Sequence, residues 1–233
     1  FALLLEINES PNNRHYSTNQ NCKSLKSCYN DPMKRIYIIL CIFIFLFCAC
    51  FSYAQNNEIE LFLVSQKAFE DGFYDVAIRY INQFLQDYPQ TNKRVEAQLL
   101  LGQCFFLKGQ YLKAFDIFQK LSSEATYKAA VLFWLGETYL KGKDYQQAKD
   151  RYQKIIDLYP SSDYAPQASY ALAWIDFETN HFDAAEEKFK DFIKKFPKHQ
   201  LVEDIEFRIG ECEFNMGRYE NAAQSFQKYI TAF

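Results

Sequence analysis

An alanine returns along this chain at an almost constant interval. The members of this column are Ala77, Ala114, Ala148, Ala185 and Ala222, and they are separated by 37, 34, 37 and 37 residues. A period of this length is typical of solenoids, in which each repeat is one supersecondary unit that buries its apolar face against its neighbours. The spacing therefore predicts a linear array of about five similar units.

Four further positions repeat in step with the alanine. Twelve residues earlier is a small residue: Ser65, Gly102, Gly136, Ala173 and Gly210. Three residues earlier is an aromatic residue, four residues later a large apolar one, and twelve residues later a proline in three repeats: Pro89, Pro160 and Pro197. Columns of constant residue type indicate that every repeat uses the same internal contacts.

Each repeat has the pattern of a helical hairpin. Apolar residues at spacings of three and four give two amphipathic helices, which we name helix A and helix B in chain order. The closing proline ends helix B because it disfavours α geometry at the residue before it. We expect the small residue of helix A to meet the alanine of helix B, as in Gly136 and Ala148, so that the two backbones pack closely.

The pattern resembles the tetratricopeptide (TPR) family, whose helix A carries a large apolar residue followed by glycine and whose helix B carries a small residue, an aromatic residue and a closing proline. The resemblance implies an all-α fold, an α-α superhelical solenoid of about five TPR-like hairpins preceded by an apolar signal or anchor helix. The array is assigned to residues 56–233, with repeats near 58–91, 95–127, 128–163, 164–200 and 201–233, the last one truncated.

An apolar segment precedes the array. Met33 begins a basic start, an unbroken apolar run extends from Ile36 to Phe51, and a small-x-small triplet ends at Ala54. These are the three parts of a secretory signal peptide, which we assign to residues 33–54 with cleavage after Ala54. Two alternatives stay open: an uncleaved membrane anchor, since the run is only slightly shorter than a span of about 20 residues, and lipidation at Cys50. Residues 1–32 are polar and without pattern, and are expected to be disordered or not native.

Several classes of function are disfavoured by composition. The net charge of -3 gives no general attraction to phosphate backbones, so nucleic acid is not expected as a partner. The three histidines lack metal-ligand spacing, and there is no glycine-rich phosphate loop or nucleophile motif, so we expect no enzyme activity, no metal and no cofactor. Cys104 and Cys212 share one column three repeats apart, which predicts unpaired core thiols.

Two columns of helix A lie seven residues apart and therefore share one face of that helix. In the resembled family one face of each helix A lines a concave groove, so this face is a candidate for binding partner segments, with inter-repeat core as the alternative. The candidate groove residues are Phe133, Glu137, Tyr170, Trp174, Phe177, Phe207, Glu211 and Phe214. Trp174 is favoured because exposed aromatic residues tend to dominate interfaces. Glu137, Glu178 and Glu211 favour a basic or neutral partner.

The predicted function is a non-catalytic protein-interaction scaffold or adaptor in the bacterial cell envelope, exported to the periplasm and touching a membrane only if the run from Ile36 to Phe51 is retained. The repeat style is similar to that of the periplasmic coordinator of the Tol-Pal system and of the TPR lipoprotein of the outer-membrane barrel-assembly machinery. The alternatives are the N-terminal superhelical part of a larger envelope enzyme, such as a cell-wall lytic one, and a membrane-anchored assembly subunit.

Overall fold

The structure is a computed structural model that describes residues 32–124 and 126–232, with only some of the side chains of the first helix. The described residues form helices and turns without strands, which confirms the predicted all-α fold. The helices are α1 (Pro32–Glu70), α2 (Tyr74–Asp87), α3 (Arg94–Leu107), α4 (Tyr111–Leu121), α5 (Lys128–Lys141), α6 (Tyr145–Leu158), α7 (Tyr164–Glu178), α8 (Phe182–Lys195), α9 (Val202–Asn215) and α10 (Tyr219–Ala232). Contacts divide the chain into two units, residues 1–57 and 58–233.

The first unit contains the beginning of α1. Its described apolar side chains are exposed, and Phe43 and Phe45 each keep 74% of their surface accessible. Across the part of the chain that the structure describes, no helix is both long and apolar enough to cross a membrane. The predicted cleavage at Ala54 and lipidation at Cys50 concern side chains outside the described ones, and residues 1–31 lie outside the described residues.

The second unit is an array of helices in which neighbours along the chain are neighbours in space. From α2 to α10, every helix packs on the next one. In addition, α3 contacts α5, and α5 contacts α7, so the A helices of the second, third and fourth repeats touch directly. This nearest-neighbour packing is the organisation of a solenoid.

Rings from helix B fill the space beside the glycines of helix A. The paired residues are Gly102 with Phe118, Gly136 with Tyr152, and Gly210 with Phe226. A Cβ atom on Gly102 would lie 2.4 Å from the Phe118 ring, and one on Gly136 would lie 2.6 Å from the Tyr152 ring. The ring four residues after the alanine is thus the group closest to a Cβ atom at the glycine, and the expected contact between glycine and alanine stays a prediction. Ala148 is nevertheless completely buried.

The turn between helix A and helix B contains one residue with left-handed backbone geometry in every repeat. These residues are Gly72, Gly109, Lys143, Asn180 and Gly217, with φ angles between 58° and 78°. Glycine takes this geometry without a steric penalty, and a residue with a Cβ atom does not. The turn is thus a further repeated position, occupied by glycine in three repeats only.

The cysteines of the array behave as predicted. Cys104 and Cys212 are free and buried, which confirms unpaired core thiols. Burial raises the pKa of each thiol to about 12, so both stay protonated at neutral pH.

A buried carboxylate ties the third repeat to the fourth. Asp176 on α7 accepts hydrogen bonds from Lys149 on α6, at 2.6 Å, and from Lys188 on α8. Burial alone would raise the pKa of Asp176, but the two lysines outweigh it and lower that pKa. The contact helps to fix α7, the helix that carries most of the site described next.

Candidate protein-binding groove

A pocket of ≈ 390 Å³ lies between the A helices of three successive repeats. Its lining residues are Phe133, Glu137 and Leu140 from α5, Gln167, Tyr170, Ala171 and Trp174 from α7, Leu201 just before α9, and Arg208 from α9. Three consecutive hairpins are needed to form the pocket, because its lining residues come from the A helices of all three.

The wall on α7 is a ladder of nearly parallel rings. Tyr170 and Trp174 have centroids 6.5 Å apart and planes at 7°, and Trp174 and Phe177 have centroids 5.5 Å apart and planes at 19°. Spacings of four and three residues place the three rings on one face of the helix. All three are only partly buried, so the ladder offers flat apolar surface to a partner.

Arg208 covers the middle ring of this ladder. Its guanidinium carbon lies 4.8 Å from the centre of the Trp174 ring. The same group forms ion pairs with Glu211 at 2.7 Å and with Asp204 at 3.5 Å. The Tyr170 hydroxyl donates to Asp204 at 2.6 Å. These contacts hold α9 against α7 and balance the positive charge of Arg208 with two carboxylates.

Glu137 brings a carboxylate into the pocket. The hydroxyl of Tyr152, whose ring lies over Gly136, donates to Glu137 Oε1 at 2.6 Å. Burial raises the pKa of Glu137, and the hydrogen bond from Tyr152 and the charge of Lys141 offset this only in part. Helix B of the repeat therefore holds in place a carboxylate that helix A presents.

Two buried polar atoms of the pocket residues have no hydrogen-bond partner within the described part of the chain. They are Gln167 Oε1 and Arg208 Nε. A buried donor or acceptor that is left unsatisfied costs about 1–3 kcal/mol. Buried polar atoms without a partner are rare in folded proteins, so these two atoms mark positions at which a bound group can supply the missing hydrogen bonds.

The structure brings some of the predicted groove residues together and disperses others. Phe133, Glu137, Tyr170 and Trp174 line one pocket, and Phe177 continues the ring ladder. Glu211 contributes through its ion pair with Arg208, and Trp174 is half-buried under that arginine rather than freely exposed.

The other two predicted residues belong to the last hairpin. Phe207 packs on Phe226 at 5.3 Å, and Phe214 packs on Tyr219 at 5.4 Å. In the first two hairpins the same columns are mostly core: Phe62, Leu99 and Phe106 are buried, and Phe69 is partly buried. The face is therefore more open from α5 to α9 than in the first two hairpins, and Phe214 on α9 keeps 56% of its surface exposed.

Sequence reasoning did not identify Arg208, Gln167 or Leu201 as pocket residues. The spacing of Asp204, Arg208 and Glu211 on one helix face was an available signal for a fixed arginine. Gln167 gave no comparable signal. Within the described residues, no group of histidines, cysteines and carboxylates is placed to hold a metal ion.

The fold and the repeated hairpin contacts define a tetratricopeptide-type repeat protein, a class of fold consistent with protein-interaction scaffolds. Two family models match parts of the array. YfiO, described as an outer membrane lipoprotein, matches residues 125–232, and ANAPC3, described as subunit 3 of the anaphase-promoting complex, or cyclosome, matches residues 70–155. No curated protein matches the chain.

Solved structures show the same fold. A MamA crystal structure is 23% identical with a TM-score of 0.59, covering 75% of this chain and 90% of that one. MamA from Desulfovibrio magneticus RS-1 is 17% identical with a TM-score of 0.62, covering 75% and 93%. A tetratricopeptide repeat protein from Parabacteroides merdae is 16% identical with a TM-score of 0.62, covering 76% and 67%. At these identities the likeness shows the fold alone.

Proposed function

We propose that the array is a non-catalytic scaffold of the bacterial cell envelope that binds a segment of a partner protein in the pocket between α5, α7 and α9. The observation that carries the proposal is the half-open ring ladder of Tyr170, Trp174 and Phe177, flanked by polar atoms without partners. Aromatic residues and arginine are enriched at binding hot spots, and this pocket combines both.

The assignment to the cell envelope has two supports. Residues 125–232 match the family described as outer membrane lipoprotein, and residues 33–54 have the sequence pattern of a signal peptide. The mass of the mature protein's N-terminus tests the second support, because cleavage predicts a start at Gln55, lipidation predicts a modified Cys50, and an uncleaved anchor predicts Met33.

The binding proposal is tested by recovery of partner proteins from envelope extract. The full chain, its Trp174→Ala and Tyr170→Ala variants and a control are used as bait, and bound proteins are quantified by mass spectrometry. Removing a hot-spot side chain costs about 2 kcal/mol or more, so recovery of the partner should fall by roughly thirtyfold with Trp174→Ala.

Phe73→Ala is the matched control, because Phe73 is an exposed aromatic residue outside the pocket lining. Its recovery of partners should equal that of the unaltered chain. Equal recovery by all four baits would rule out the pocket as the binding site.

A further inference from the structure

Glu137 is a pocket carboxylate that forms no ion pair within the described part of the chain. Its Oε1 atom accepts the hydroxyl of Tyr152 at 2.6 Å, and this donor is neutral. Among the described residues, Glu137 forms no ion pair, although fourteen other pairs join side chains of this array. The carboxylate therefore keeps hydrogen-bonding capacity toward the pocket.

The other charges around the pocket leave it negative. Arg208 is its one lining cation, and two carboxylates, Asp204 and Glu211, already pair with that arginine. Lys141 lies one helical turn beyond Glu137, is exposed, and acts on it only through its electric field. The three paired groups carry one net negative charge and an ionised Glu137 adds a second, which Lys141 offsets in part from outside the pocket lining.

The walls suit a long cationic side chain. The faces of Phe133, Tyr170 and Trp174 are apolar surfaces along which the methylene groups of lysine or arginine pack well. Aromatic faces also attract cations through their quadrupoles. Gln167 Oε1 is a second acceptor at the pocket without a donor.

We propose that this pocket receives one basic side chain, lysine or arginine, from a segment of the partner protein, with its charge against Glu137 and its stem along the rings. The inference rests on the proposed function and names the chemistry of the partner. An acidic side chain would face a like charge, and a neutral one would leave the Glu137 carboxylate desolvated and unpaired.

Tyr152 acts as a positioning residue for this contact. Its hydroxyl fixes one carboxylate oxygen, and its ring cannot shift because it fills the space beside Gly136. The variant Tyr152→Phe keeps the ring and removes the hydroxyl, so it should weaken the binding of basic peptides less than the loss of the carboxylate does.

The test selects binders from a random peptide library displayed on phage, using the full chain and the variants Glu137→Gln and Glu187→Gln. Glutamine preserves the size of the side chain and the acceptor for Tyr152. Glu187 is an exposed glutamate on α8 outside the pocket lining, so its variant controls for the loss of one charge. Circular dichroism melting checks that each variant is folded, and loss of binding with Trp174→Ala identifies the peptides that occupy the pocket.

Pocket-dependent peptides should share one lysine or arginine when selected on the unaltered chain and on Glu187→Gln. For such a peptide, Glu137→Gln should weaken binding by roughly tenfold to a hundredfold, the range of a charge-assisted hydrogen bond. Replacing the basic residue of the peptide by norleucine or citrulline should have an effect of the same size.

Two outcomes distinguish failure of the proposed basic side chain from failure of the proposed scaffold function. Pocket-dependent peptides without a shared basic residue, or equal affinity for Glu137→Gln, would overturn the inference and leave the scaffold proposal standing. A library that yields no peptide sensitive to Trp174→Ala would overturn both.

Discussion

The second hairpin (α3 and α4) and the third hairpin (α5 and α6) have the same core contacts. One difference between them lies at the tip of the ring that faces the glycine. Gly102 faces Phe118 in the second, and Gly136 faces Tyr152 in the third. Phe118 ends in the apolar core, stacked at 6.1 Å on Trp134 of the next repeat. Tyr152 ends in a hydroxyl that binds Glu137 in the pocket.

The residue at the position of Glu137 also differs between the two hairpins. The second hairpin has Gln103 where the third has Glu137. The hairpin whose core ring carries a hydroxyl group, Tyr152, is thus the one that has a carboxylate, Glu137, on the groove face. A repeat can therefore keep its core packing and still present a different functional group on its surface.

Removing either of the two rings should have the largest effect on stability. Phe118→Ala and Tyr152→Ala should each lower the free energy of unfolding by about 3–5 kcal/mol, because each leaves a cavity between two buried helices. Urea unfolding followed by circular dichroism measures the loss, and hydrogen exchange locates it in the altered hairpin. If only one of the two variants is destabilised, the hairpins do not share the same core.

Substitutions at the glycines of helix A should have a smaller effect. Gly102→Ala and Gly136→Ala should each destabilise by roughly 1–2 kcal/mol, since overpacking against a buried ring exceeds the gain in helix propensity. Thermal melting of both variants is the measurement. A clearly higher melting temperature would mean that the ring has room to move, and Ala173 shows that the fourth hairpin is spaced for a Cβ atom at this position.

Tyr152→Phe isolates the oxygen by which the hairpins differ. Losing the hydrogen bond to Glu137 should cost about 1 kcal/mol near neutral pH, and the matched change Phe118→Tyr provides the reverse comparison. The Tyr152 hydrogen bond lowers the pKa of Glu137, so the variant should raise that pKa further.

The raised pKa of Glu137 determines how the stability of the fold changes with pH. Burial holds the pKa of Glu137 above its ordinary value, so the folded chain binds this proton more readily than the unfolded chain does. The contribution of Glu137 to stability is therefore greatest below its ordinary pKa and is lost as pH rises through the folded pKa. Tyr152→Phe should enlarge that loss, which unfolding curves at acidic and neutral pH would show; an identical difference at both pH values would contradict it.

The smallest expected effect concerns the turns. Lys143 takes a φ of 58° where the second hairpin has Gly109 at 74°. Lys143→Gly should stabilise the protein by about 0.5–1 kcal/mol, because relief of left-handed strain exceeds the added chain entropy of glycine. Gly109→Lys should destabilise by a similar amount. A lower melting temperature for Lys143→Gly would show that the lysine side chain contributes more than its backbone strain costs.

The array was predictable because its signals are local. Residues three and four apart decide which face of a helix is apolar, and a constant period decides that the hairpins stack. The free, buried state of Cys104 and Cys212 followed from the same register. The close approach of the Tyr152 ring to Gly136 was not predicted, because the repeat pattern gives the residue type four positions after the alanine but not where its ring lies.

The amino-acid sequence alone determined the helices, their pairing and the repeated core of this protein, since each depends on residues within one period. The tertiary structure decided which members of a column are core and which are open: Phe62 is buried, whereas Phe133 lines a pocket. It also brought Arg208 to Trp174 and left Glu137 bonded to the neutral Tyr152 hydroxyl, with no ion-pair partner among the described residues. The surroundings of a groove residue come from two neighbouring repeats, and a pattern read along one helix does not contain them.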